Sequence, residues 1–169
     1  MYLRFGAMIL TSTVVMFLLT YTNVFSAGHA RWSEERFYMA LLMGSAMAVV
    51  MLGFMRSMMY KNDKVNVGIV LAALVIGGAG LGLSRSQVLV DDQAYMKGMI
   101  PHHSIAILTS ERAGIDDVRV RALADEIIEA QRREIAEMDW LIDDIEQNGE
   151  AATPRAARSR PVPEFSAAP

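Results

Sequence analysis

The chain has 169 residues, of which 53% are hydrophobic, with a formal net charge of −3 and no cysteine. Without cysteine there is no disulfide framework, thiolate nucleophile or zinc–thiolate site. Residues 1–90 hold 7 Lys/Arg and 3 Asp/Glu, and residues 91–169 hold 9 and 16, so the acidic second half argues against nucleic acid as a partner.

This length suits one ordinary domain, or a membrane anchor followed by a small one. Phe5 to Thr22 is apolar and preceded only by Arg4, long enough to cross a hydrocarbon layer of ~30 Å. Gly28-His29-Ala30 resembles a signal-peptidase site, but signal cores of about 7–15 residues are shorter than this run, which reads as a retained helix. His29 to Trp32 reads as a short polar loop. Ser33 with Glu34 and Glu35 then reads as an N-cap with acids in the first turn.

A second span is expected over Phe37–Met59. Met39, Met43, Met47, Met51 and Met55 recur at every fourth residue there. A ladder conducting metal and a flexible packing face both fit this spacing; the absence of His or carboxylate beside it within the span favours packing. Arg56, Lys61 and Lys64 make the next connection the most basic, placing it and the N-terminus in the cytoplasm and residues 86–169 on the opposite side. The third span, Val65 to about Ser84, contains Gly78 and Gly82 at a spacing that permits close helix approach, within the chain or between copies.

Asp91 and Asp92 are placed to cap a fourth helix that fades near Gly114. Within it, Asp92-Gln-Ala-Tyr-Met96-Lys-Gly-Met99-Ile-Pro101-His102-His103 gathers two thioethers, two imidazoles and a carboxylate. At ~100° per residue, Asp92, Met96, Met99 and His103 share a stripe roughly 60° wide, with His102 about 80° to one side. Pro101 either kinks this helix or restarts it. Thioether and imidazole together suit Cu(I); the same residues also suit a core stripe. A fifth helix, capped by Asp116 with Asp117 in its first turn, runs to about Gln147 and stops at Asn148-Gly149. Gln131 and Glu134 lie on or beside its apolar stripe, positioned to bond His102 or His103 or to ligate weakly, or to be solvated at the stripe's edge. Residues 150–169, rich in Pro, Ala and Arg, read as a disordered tail.

The run Met96-x-x-Met99-Ile-Pro101-His102-His103-x-x-Ala106-Ile107, followed by Ala124-x-x-Ile127-Ile128-x-x-Gln131-x-x-Glu134-Ile135-x-x-Met138, resembles the domain of unknown function 305 family over about residues 91–147. The three preceding spans resemble that family's membrane-anchored bacterial members. The resemblance implies a ferritin-like helical architecture and, for some members, periplasmic copper binding linked to metal resistance. Ile107 and Leu108 depart from it, standing where such sequences often carry a further Met. The expected fold is all-α, with an anchor of three transmembrane helices over 1–85, a helical hairpin over 86–149 and the tail.

The expected function is a non-enzymatic, membrane-tethered module binding copper, as Cu(I), for metal tolerance or homeostasis. Its expected ligands are Met96, Met99, His102 and His103, with Asp92, Gln131, Glu134 and Met138 secondary. Two alternatives stand beside it. A ferritin-like redox enzyme would use Glu-x-x-His pairs, where this chain has Met99-x-x-His102. A helical interaction module would use the Met and His as core. The setting expected is a bacterial inner membrane with the hairpin in the periplasm, two hairpins pairing into a four-helix bundle, and an unidentified protein delivering metal.

Overall fold

The computed structural model describes residues 1–166, which form α-helices joined by short turns, with no strand among them. The chain divides into two compact units.

The first unit comprises Met1–Thr22 and Ser33–Val90. Its helices are α1 (Tyr2–Leu19), α2 (Glu34–Met55) and α3 (Asp63–Ser86), all long and apolar enough to cross a membrane. Each lies within a few residues of its expected position. Ser33 caps α2 by accepting from Arg36 N, and Asn62 caps α3 by accepting from Val65 N. The central helix α2 packs against both others, while the α1 and α3 backbones do not approach each other. Tight α2–α3 packing depends on Gly80, where a Cβ would stand 2.9 Å from the Tyr38 carbonyl oxygen. Gly78 and Gly82 meet nothing, so the expected Gly-x-x-x-Gly pair is not the one that packs within the chain. In the methionine ladder, Met51 and Met55 pack against the Phe5–Leu52–Tyr60 cluster, and Met39 and Met43 are exposed.

The second unit comprises Asn23–Trp32 and the chain from Asp91 onward. Helix α4 (Asp92–Arg112) begins at Asp91, whose carboxylate accepts from Ala94 N, and continues through Pro101 without a break. Helix α5 (Val118–Asn148) begins one residue later than expected. Asp117 is its N-cap, accepting from the backbone N–H of Arg119, and hydrogen bonds from Arg119 hold its carboxyl at about 2. Gly149, at φ 74°, ends it. The α4–α5 core is Met96, Ile100, Ile107, Ile135 and Ile142.

Two segments differ from expectation. Residues 23–32, which include the loop expected at His29–Trp32, contain a 3-10 turn (Ala27–His29) and belong to the hairpin unit. In the segment read as disordered, Thr153 caps a short helix α6 (Pro154–Ser159), and Arg160 reaches back to Asp144 (2.7 Å) and the Gly149 carbonyl (2.9 Å). The last part of that reading, residues 167–169, lies outside the described residues.

Candidate functional site

One side of the hairpin carries an open cleft of about 570 Å3. Helix α4 contributes Asp92, Tyr95, Met96, Met99 and His103, and α5 contributes Glu134, Glu137, Met138, Leu141 and Ile145. These positions follow from helical period: Met96, Met99 and His103 recur at three- and four-residue steps, as do Glu134, Glu137, Met138 and Leu141. The unbroken helix through Pro101 keeps the thioethers and the imidazole in one register. Six of the eight expected residues therefore meet here: Asp92, Met96, Met99, His103, Glu134 and Met138. His102 is exposed and Gln131 half-buried, and neither lines the cleft.

The ring of His103 is fixed at both nitrogens. Nδ1 lies 3.0 Å from the Met99 carbonyl oxygen and Nε2 lies 2.8 Å from Glu134 Oε2. The carbonyl can only accept, so Nδ1 is the donor there. Nε2 is thereby directed at a carboxylate, an arrangement that a proton or a cation between the two atoms satisfies. The lining carries three carboxylates and no Lys or Arg, which favours cations. Among the described residues no three His, Asp or Glu side chains group as a hard-donor site. The donors that converge are three thioethers, one imidazole and its carboxylate partner. That set fits a soft monovalent ion better than a hard divalent one.

Glu137 and Tyr95 were not singled out from the sequence. Glu137 lies one turn after Glu134, and that step was its only signal. A second cluster was also missed. Ser104, fully buried, accepts from the Phe25 backbone N–H (2.7 Å) and bonds His29 Nδ1 (2.9 Å). Arg31 pairs with Asp139 at 2.8 Å, and the Arg132 guanidinium lies over the Phe25 ring. Burial lowers the His29 pKa, with Asp139 opposing and Arg31 adding to the shift. Burial also raises that of Asp139, against the attraction of Arg31 and His29. Ser104 and His29 superficially resemble a nucleophile and its base, but the serine is sealed beneath the loop. The cluster clasps residues 23–32 onto the hairpin.

A family profile described as Domain of unknown function (DUF305) matches residues 92–166, covering α4, α5 and α6. A protein of Acanthamoeba polyphaga mimivirus, described as uncharacterized, is 34% identical over 150 residues, spanning 82% of this chain and 93% of its own length. No solved structure matches.

Proposed function

The chain belongs to the domain of unknown function 305 family, and we propose that it is a membrane-tethered protein that binds copper, as Cu(I), in the α4–α5 cleft for metal tolerance or homeostasis. The observation that carries this reading is that Met96, Met99, Met138 and His103 line one cleft, where His103 Nε2 meets Glu134, which lines it too. Thioethers and a neutral imidazole bind Cu(I) without thiolates, which this chain lacks. Bound copper would supply a soft Lewis-acid centre. The chain's own contribution is to hold the donors: the Met99 carbonyl fixes the His103 ring at Nδ1, and Glu134 would release Nε2 for the metal to bind there. His102, exposed on the neighbouring face, is not part of this ligand set. The role is binding rather than catalysis, because carboxylate–histidine pairs of the ferritin type are replaced by softer thioether.

Helices α1–α3 act as the anchor, supported by their length and hydropathy. Lys61 and Lys64, with Arg56, orient the α2–α3 connection toward the cytoplasm. The hairpin then lies on the opposite face, in the periplasm where the host is a Gram-negative bacterium. A reporter fused after Gly149 is expected to be active only outside the cytoplasm; activity inside would overturn this topology.

Elemental analysis of protein purified from membranes of copper-supplemented cells tests the metal assignment. Wild-type protein is expected to retain copper in proportion to chain, and His103→Ala to lose most of it. Equal copper in both, or none in either, would remove the reading.

A further inference from the structure

The first unit contains a slot of about 460 Å3 between α1 and α3, floored by α2. Side-chain contacts bound it at both ends. At one end α1 crosses α2 so tightly that a Cβ on Gly44 would stand 2.5 Å from Thr13 Oγ1. At the other, Tyr2 and Phe5 stack on Tyr60 at 5.0 and 5.1 Å, and Tyr2 Oη donates to Asn66 Oδ1 (3.0 Å) while accepting from Asn62 N (3.1 Å). Between these clamps α1 stands away, and a Cβ on Gly6, which lines the slot, would meet nothing within 4 Å.

The slot's length, lining and flanking charge point to one kind of occupant. It follows residues 2–13 of α1 and 65–76 of α3, about 16 Å at 1.5 Å per residue. Half of a ~30 Å hydrocarbon layer is ~15 Å, so the slot is one leaflet deep. A single hydrocarbon chain matches this length and apolar lining. The lining contains no charged side chain. At the Tyr2 end, where a tyrosine marks the headgroup level, Arg4 and Lys64 adjoin slot residues in the chain, and both, with Lys61, are exposed and have no acidic partner among the described residues. The neighbouring Asp63 is already paired with Arg56 at 2.9 Å.

We infer that the slot holds one acyl chain of an anionic phospholipid from the leaflet at the α2–α3 connection, with its phosphate met by Arg4, Lys61 and Lys64. This rests on the membrane-spanning reading of α1–α3 and is independent of copper.

The test uses the full chain in nanodiscs of mixed phosphatidylcholine and phosphatidylglycerol, transferred to mild detergent and read by native mass spectrometry. Wild-type protein is expected to retain one phosphatidylglycerol per chain. Gly6→Phe, which fills open space, should retain at least fivefold less while keeping its helicity and monodispersity. The double substitution Lys61→Gln with Lys64→Gln should erase the preference for phosphatidylglycerol over phosphatidylcholine. No retained lipid in the wild type, undiminished retention in folded Gly6→Phe, or an effect of Gly6→Phe on oligomeric state alone would overturn the inference. Extraction of the protein by alkaline carbonate would instead show that the membrane reading had failed.

Discussion

Ser104 and His103 are neighbours in sequence that serve different faces of α4. His103 lines the cleft, whereas Ser104 Oγ receives the Phe25 N–H beneath the loop. Removing the hydroxyl leaves that N–H without its partner in a buried setting, which costs about 1–3 kcal/mol. Ser104→Ala is therefore expected to lower the denaturation midpoint of the hairpin unit and to speed exchange of the Phe25 amide. Unchanged exchange would show that the clasp contributes nothing. Ile142, 2% exposed in the α4–α5 core, provides the comparison. Ile142→Ala should cost about 2–5 kcal/mol through lost burial and a residual cavity. The cleft residues were legible because Met96, Met99 and His103 repeat at helical steps. Ser104 was not, because its partners lie 75 and 79 positions away in the chain, and nothing local distinguishes it from a solvated serine.

Among the elements, the helices were readable from hydropathy and capping: Ser33, Asp91 and Gly149 end or begin helices where their chemistry demands. Within the segment read as a tail, Pro154–Ser159 is helical for a physical reason. Its composition suits disorder, yet Thr153-Pro154 is itself a cap followed by the favoured first-position proline. The Arg160–Asp144 pair that folds the segment back is a tertiary contact that composition cannot reveal. Residues 23–32 respond to acid through His29. Its folded pKa lies below the ordinary ~6.5, so the folded state binds fewer protons than the unfolded chain and loses stability as pH falls through that value. In the protonated ring Nδ1 can only donate to Ser104 Oγ, which also accepts from Phe25 N. Asp139, raised above its usual value, acts oppositely, but in the lower carboxylate window. Protection of the Phe25 amide, corrected for intrinsic exchange, is therefore expected to fall between pH 7 and 5.5 in the wild type and to stay flat in His29→Gln. Identical pH profiles would refute the mechanism.

At the scale of the whole molecule, three helices apolar enough to cross a membrane and an acidic hairpin were both foreseeable from the uneven distribution of charge. The open α1–α3 slot was not, because it depends on where α1 crosses α2. A single hairpin leaves Leu141 and Ile145 along an open cleft and Val120 and Leu123 exposed on α5. Pairing two hairpins into a four-helix bundle would cover such faces. Leu141→Cys should accordingly cross-link into dimers in membranes under mild oxidation, and a strictly monomeric product would contradict the pairing. The central claim concerns copper, and Met99→Leu isolates it. That exchange nearly conserves volume and is expected to cost less than about 1.5 kcal/mol in stability. Competition of the purified full chain against a chromophoric Cu(I) chelator is the most direct measurement. The account predicts saturable Cu(I) binding weakened at least tenfold by Met99→Leu and by His103→Ala, with melting of Met99→Leu nearly unchanged. Wild-type affinity in both variants would make the Met/His stripe a packing feature and contradict the claim.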